Sequence, residues 1–400
     1  MKFITIVPDG MADYPIEQLG NKTPLEAART ANMDYLAQRG MVGLVQTIPE
    51  KMKPGSDVGN MAILGYDPRE HLTGRAPLEA ANLNIILKND EIAFRCNLVT
   101  ILDNTMADYS AGHISSKEAE VLIESLNQEL ASEKIRFHAG KSYRHLLILK
   151  VPDPGKYMSI KTTPPHDISG KNIKAYLPKG DQAEILLDLM EKSKRLFENH
   201  SLNQVRVDLK ENPATMIWLW GQGTKPALPS FKEKFGVEGS IISAVDLVNG
   251  IGRLAGLEII DVPGATGYYD TNYLGKAEYA LQSLKKKDFV YIHIEAPDEA
   301  GHSGDVKAKI AAIERIDKDI VGTVLNHFDS HDDVRILVLP DHPTPVSLRT
   351  HTSDPVGFLM YGKGVPEDGT DSFGETKSKE KGLKFESGKA LIEYFMKKNL

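Results

Sequence analysis

Between positions 291 and 302 the chain reads YIHIEAPDEAGH, an apolar strand-like run that stops at Pro297 and is followed by Asp298, Glu299 and His302. If a helical turn begins at the proline, Asp298 and His302 are four residues apart and project from one face, as a pair of metal ligands must. Taken alone, the same spacing describes an acid and an imidazole on a helix surface. The run VRILVLP ends in the same way, at Asp341 and His342, and RTHTSDP places His351 nine residues further on. The opening run KFITIVP ends at Asp9. Three strand-like runs therefore each end in a carboxylate, and open α/β sheets carry their sites at the C-terminal ends of parallel strands. Carboxylates and imidazoles in this number could hold two divalent ions, and they suit manganese, zinc or magnesium better than copper. Residue by residue a plainer role stays open: Asp9 could cap a turn, and Asp341 could form an Asx-turn before Pro343.

A fourth cluster is KPGSDVGNMAILGYDP at 53–68. Proline and glycine before Ser56 and Asp57 after it describe a tight turn into a helix of small residues, with a hydroxyl at the helix N-terminus, a position that attracts anions. An ordinary N-cap serine fits the segment equally well. A free serine hydroxyl is a weak nucleophile at neutral pH. Metal coordination can depress the pKa of an oxygen acid by many units, as that of bound water falls from about 15.7 to about 7.

The elements that must position these residues alternate between strand-like and helical patterns, which indicates α/β layering around a largely parallel sheet. After the first strand, Thr23-Pro24-Leu25-Glu26 combines a capping box with proline at the first helical position, predicting one helix from there to about Arg39, before Gly40. The same logic predicts strands at 258–262, 288–295 and 334–339, and helices near 244–255, 276–286, 305–328 and 387–398. From about Thr73 to Ser240 the pattern changes. Strand candidates NIILKN, EIAFRCNLV, KIRFHAG, YRHLLILKV and TMIWLWGQG occur with helices set apart near 116–132 and 181–199, the pattern of an α+β unit with antiparallel pairing. An inserted domain at 73–240 within a discontinuous core of 1–72 and 241–400 is the expectation, with Gly221–Pro229 as exit linker or surface loop. PLEAA occurs twice, at 24–28 and 77–81, too short a likeness for a repeat architecture.

Composition narrows the function classes. Four hundred residues exceed what one hydrophobic core usually organises. With 48 Lys plus Arg against 55 Asp plus Glu, the formal charge of −7 contains no long single-sign block and carries no nucleic-acid footprint. The one cysteine, Cys96, cannot form an intrachain disulfide, the N-terminal apolar run is too short for a signal peptide, and no apolar run approaches the roughly 18 residues of a membrane span. A cytoplasmic protein is expected, with no membrane partner.

Together, VPDG, PGSD with its LGYDP tail, GRAPLEAA, DLVNGIGRLAGLEII, VPGATGYYDTNY, APDEAGH, LPDH and THTSDPV resemble, in order and across nearly the whole chain, the cofactor-independent phosphoglycerate mutases of the archaeal type, within the alkaline phosphatase superfamily. The resemblance implies an alkaline-phosphatase-like α/β core with helices on both faces of its sheet, and a cap formed by the inserted unit. It implies that Asp298, His302 and His351 bind one metal, that Asp9, Ser56, Asp341 and His342 bind the other, and that Ser56 takes the phosphoryl group as a phosphoserine before returning it to the other hydroxyl of glycerate. Arg253 and Lys276 are similar to the family's substrate-side cations from the core, and Arg144 and His166 to those of the cap.

The segment Asp108-Tyr109-Ser110-Ala111-Gly112-His113-Ile114 departs from the family's D-R-x-A-G-R-I pattern and lacks two arginines, whose bidentate fork tyrosine and histidine cannot reproduce. His113 there could donate to phosphate or act as general acid or base. The reading that leads is interconversion of 2- and 3-phosphoglycerate. The departure keeps three others in view: transfer to another small alcohol, as in a homoserine-kinase-like analogue, a metal-dependent phosphatase, and a non-catalytic binding protein. A large cap argues against simple hydrolysis, since a mutase must exclude water.

Overall fold

The computed structural model describes residues 1–328 and 333–397. Position 398, the last of the helix expected near 387–398, lies outside the described residues. The chain forms two compact units, Met1–Leu72 with Ala227–Leu400, and Thr73–Pro226. The return to the first unit comes at Ala227 rather than at 241, because Phe231 stacks on Phe289 at 4.4 Å and the Tyr66 hydroxyl donates to the Pro229 carbonyl at 2.9 Å, both within that unit.

Among the described residues the strands are β1 (Lys2–Pro8), β2 (Met41–Val45), β3 (Glu91–Leu102), β4 (Thr105–Asp108), β5 (Ile135–His138), β6 (Arg144–Lys150), β7 (Met216–Thr224), β8 (Gly239–Ile242), β9 (Glu258–Ile259), β10 (Phe289–Ile294), β11 (Val334–Val338), β12 (Val356–Gly362) and β13 (Lys384–Phe385). The first unit holds an eight-stranded sheet in the order β13-β2-β12-β11-β1-β10-β8-β9. Neighbours from β11 to β9 pair in parallel, while β12 runs antiparallel to both β11 and β2. The three central strands β11, β1 and β10 are buried along almost their whole length, as strands covered on both faces are. Ile4, Ile6, Val290, Ile292, Ile336 and Val338 belong to one apolar core with Ile313 and Ile316 from the helical segment after Val306.

The capping box at Thr23 forms as expected, with the Thr23 hydroxyl accepting from the Glu26 N–H, but the helix it starts ends at Ala27 and a second one runs from Ala31 to Gln38. Distant carboxylates cause the break. Asp317 accepts the N–H groups of Asn32 and Met33 at 3.2 and 2.7 Å, and Glu314 accepts that of Arg29. The helix expected over 305–328 is likewise divided, with Ile316–Val321 wound as a π-helix between Val306–Arg315 and Gly322–Leu325.

The second unit is a five-stranded antiparallel sheet in which β3 pairs with β4, β6 and β7, and β5 pairs with β6. Leu122 and Leu126 of the helix Ser116–Leu130 and Leu186 and Leu189 of the helix Ala183–Glu198 share a core with Leu98, Leu147 and Trp218 of the sheet. NIILKN is not a strand. It closes the helix Arg75–Asn82, with the Ile85 N–H returning to the Ala80 carbonyl and Asn84 left-handed at φ 58°.

Candidate active site

Sheet adjacency brings the carboxylates together. Pro8 of β1 is in register with Ile294 of β10, and Ile6 with Val338 of β11, so the C-terminal ends of β11, β1 and β10 lie side by side and the next residues of each meet. Asp9, Asp341 and His342 follow β1 and β11, and all three are fully buried. Asp298 and His302 come from the helix Ala296–Ser303, which Pro297 starts after β10. They sit one turn apart, with His302 Nε2 3.2 Å from Asp298 Oδ2. His351 closes this cluster, with its Nε2 3.4 Å from Asp298 Oδ1 and 2.8 Å from His302 Nε2. Donor atoms of Asp298, His342 and His351 converge, and so do those of Asp9, Asp341 and His293. His342 faces both groups, with its Nε2 3.6 Å from Asp9 Oδ1 and 3.5 Å from Asp341 Oδ2. Ser56 Oγ lies 3.3 Å from the same nitrogen, at the start of the helix Ser56–Ile63.

His293, within YIHIEAPDEAGH, is a further member of the site that was not expected there. Its Nε2 is 2.8 Å from Asp9 Oδ2 and its Nδ1 is 3.2 Å from Ser243 Oγ. The available signal was an imidazole in the middle of FVYIHI, an otherwise apolar strand. Glu295, two residues on, is a further unforeseen carboxylate, 3.8 Å from His293 Nε2.

The electrostatics of the site call for cations. Burial, then Asp341, Glu295 and Asp298, raise the Asp9 carboxyl well above its usual range, and burial with Asp298 pushes Glu295 up to about 8. Asp9 Oδ1 and Glu295 Oε2 are buried with no hydrogen-bond partner. Burial would also raise Asp298, but the bonded imidazoles of His302 and His351 hold it well below the carboxylate range, and the bond to Asp298 lifts His302 to about 9. Burial drives His293 down to about 3 and lowers His342, leaving both neutral, the form in which imidazole binds a metal. Convergent oxygens and neutral imidazoles, with Asp9 Oδ1 orphaned among them and Glu295 Oε2 orphaned nearby, fit divalent cations.

The expected substrate-side cations are placed differently from one another. Arg253 is exposed near the end of the helix Asp246–Leu254 in the first unit. Lys276 is fully buried, its ammonium donating to the His293 carbonyl at 2.8 Å, and burial lowers it to about 8. It is thus a cation beneath the ligand strand and not one facing solvent, because the helix Tyr273–Leu284 packs that residue against β10. In the second unit Arg144 stands 5.6 Å over the Tyr143 ring, His113 packs edge-on to the same ring, and His166 lies edge-on to Tyr109 and Trp220. Arg95, not foreseen, stacks 4.1 Å over Trp220 and pairs with Glu79. The segment that lacks the two arginines is a tight turn with Ala111, Gly112 and His113 all left-handed, wrapped around Asp108, which accepts the N–H groups of Ser110 and Gly112.

Comparison with known proteins agrees with this geometry. A family model described as 2,3-bisphosphoglycerate-independent phosphoglycerate mutase matches residues 37–203. A curated protein of that name from Methanothrix thermoacetophila is 51% identical over 393 residues, covering 98% of each chain. Another from Methanosarcina acetivorans is 50% identical, covering 99% of this chain and 100% of the relative. Among solved structures, a protein from Pyrococcus horikoshii superposes with a TM-score of 0.84 at 32% identity, covering 99% of this chain and 96% of that one. The cofactor-independent phosphoglycerate mutase of Thermoplasma acidophilum does so with a TM-score of 0.69 at 29% identity, covering 99% of both. No helix of the described residues is long and apolar enough to cross a membrane. Full-length identity of about half, with the carboxylate, imidazole and serine constellation at the sheet's C-terminal edge, shows that this chain belongs to the 2,3-bisphosphoglycerate-independent phosphoglycerate mutases.

Proposed function

We propose that Ser56 is the nucleophile of the mutase reaction and that the chain holds two divalent ions, of manganese, magnesium or zinc. Asp298, His302 and His351 would hold one ion, and Asp9, Asp341 and His293 the other, with His342 facing both. Bound there, the ions would neutralise charge on the non-bridging oxygens of the phosphoryl group and would favour the ionised serine. The observation that carries this reading is the placement of Ser56 Oγ 3.3 Å from His342 Nε2, beside both convergent ligand groups.

The chemistry then follows from the residues present. Ser56 Oγ attacks phosphorus, the P–O bond to glycerate breaks, and the glycerate oxygen that leaves takes up a proton equivalent to the one the serine gave up. Attack by the other glycerate hydroxyl on phosphoserine reverses the exchange, so no net proton or water is consumed. A phosphoryl group on Ser56 would sit at the N-terminus of the helix Ser56–Ile63, where the helix dipole supplies a partial positive charge. Lys276 offsets, from beneath, the negative charge crowded around His293 and Glu295. Arg253 in the core and Arg144, His166 and His113 in the second unit, which we take as the substrate cap, are the candidates for holding carboxylate and phosphate and for handing on the proton.

The test is a coupled assay with 3-phosphoglycerate, run beside a panel of phosphate donors with homoserine as acceptor, on wild type and Ser56→Ala. Wild type is expected to isomerise phosphoglycerate and to show phosphate on the Ser56 peptide by mass spectrometry after rapid quenching. Retained turnover in folded Ser56→Ala refutes the nucleophile, and phosphorylation of homoserine without isomerisation refutes the substrate.

A further inference from the structure

Thr344 lies against Asp298 and against His342, the imidazole that faces both ligand clusters. Its hydroxyl donates to Asp298 Oδ1 at 2.5 Å and is 3.2 Å from His342 Nδ1, and the residue is fully buried. The other nitrogen of His342 is the one that faces Ser56, Asp9 and Asp341. A His342 that ligates through Nε2 carries its proton on Nδ1, and Thr344 Oγ1 is there to accept it. A hydroxyl has one proton to give, and here that proton goes to Asp298. The chain of bonds is therefore directional, from His342 Nδ1–H to Thr344 Oγ1–H to Asp298 Oδ1.

The backbone of this loop is held as firmly as its side chain. The Thr344 carbonyl accepts from Lys309 Nζ at 2.8 Å, and that ammonium pairs with Asp13 Oδ2 at 2.7 Å, with both side chains at 0% exposure. Asp13 Oδ2 also accepts the Val346 N–H, and the Thr344 N–H donates to the Ala12 carbonyl. Two glycines make room for it. A Cβ on Gly301 would come within 2.3 Å of the Thr344 carbonyl oxygen, and one on Gly10 within 2.6 Å of its hydroxyl.

We propose that Thr344 is a positioning residue that ties Asp298 to His342, the imidazole facing both ligand clusters, setting the tautomer of His342 and the orientation of Asp298, with the buried Lys309–Asp13 pair as its anchor. The inference rests on the proposed metal reading. Groups that orient metal ligands in this way typically change affinity by about 10 to 100-fold when removed.

Thr344→Val keeps the branched shape without the hydroxyl, and Thr344→Ser keeps the hydroxyl without the methyl. Manganese affinity is measured by competition with a chelating dye, beside urea unfolding of the metal-free proteins. The expected result is a loss of about 10 to 100-fold in Thr344→Val, and in Thr344→Ser an affinity within about threefold of wild type. Equal manganese affinity in wild type and Thr344→Val, or equal weakness in Thr344→Ser and Thr344→Val, overturns the role of Thr344. A wild type that binds no manganese overturns the metal reading beneath it. Should Thr344→Val fail to fold, nitrogen-15 NMR of the zinc-loaded wild type decides: a slowly exchanging Nδ1 proton on His342 supports the proposal, and ligation through Nδ1 overturns it.

Discussion

Replacing Asn60 by alanine should unlatch the helix that begins with Ser56. Asn60 is fully buried, its amide donating to the Ser56 carbonyl at 2.9 Å and to Asp341 Oδ2 at 2.8 Å, while its own oxygen accepts from the Tyr291 hydroxyl at 2.6 Å. The alanine loses three bonds and strands a buried hydroxyl and a buried carboxylate oxygen. At about 1 kcal/mol net for a neutral bond, more for the one to the carboxylate, and about 1–3 kcal/mol for a stranded group, the cost is about 3–5 kcal/mol. Tyr291→Phe removes one donor and leaves the Asn60 oxygen unsatisfied, at about 1–3 kcal/mol. Once Asn60 is gone, the tyrosine hydroxyl has nothing left to lose, so the double variant should fall short of the sum by about 1–2 kcal/mol. Urea unfolding of chelator-treated protein reads this without stabilisation by bound metal. Additivity within about 0.5 kcal/mol, or a cost for Asn60→Ala under about 1 kcal/mol, would refute the latch.

Chelation should abolish mutase activity, and manganese, magnesium or zinc should restore it, with elemental analysis finding up to two ions per chain; full activity in metal-free protein sinks the metal reading. Gly10→Ala should weaken divalent-ion binding and destabilise by about 1–3 kcal/mol, measured by dye competition and urea unfolding, because Gly10 is left-handed at φ 61° and a Cβ there would meet Asp298 Oδ1 at 2.4 Å; wild-type affinity in the variant counts against that packing. Glu375 accepts from the Thr23 hydroxyl and the Asp13 N–H, and burial pushes its carboxyl up to about 7 from 4.5. A carboxyl raised on folding binds its proton more tightly in the folded state, so wild-type stability is fully present below about pH 4.5 and falls as pH rises towards about 7. Glu375→Gln should therefore gain on wild type between pH 5 and pH 8, by at most about 3 kcal/mol; a stability difference constant across that window contradicts the shift.

Local chemistry was readable before any contact was known. The Thr23–Glu26 capping box needs only residues three apart, and Asp298 and His302 share a face because a helix started by Pro297 repeats every 3.6 residues. That Asp9, Asp298 and Asp341 would lie at strand ends followed from apolar runs stopping at polar residues. Which ends would be neighbours did not follow, since strand order depends on pairings between residues hundreds of positions apart, such as Pro8 with Ile294. His293 shows the consequence. Inside β10 it reads as a core residue, and only the pairing of β10 with β1 sets it 2.8 Å from Asp9. Lys276 was expected as a substrate-side cation, and its burial beneath β10, bonded to the His293 carbonyl, was not legible because exposure is decided by the strand its helix covers. The helix broken after Ala27 was misread for the same reason. Its own residues favour continuation, and the carboxylates of Glu314 and Asp317 that take its N–H groups are more than 280 residues away. Short-range propensity decided where elements begin and which side chains share a face, while long-range pairing and burial decided which of those side chains meet and which of them carry charge.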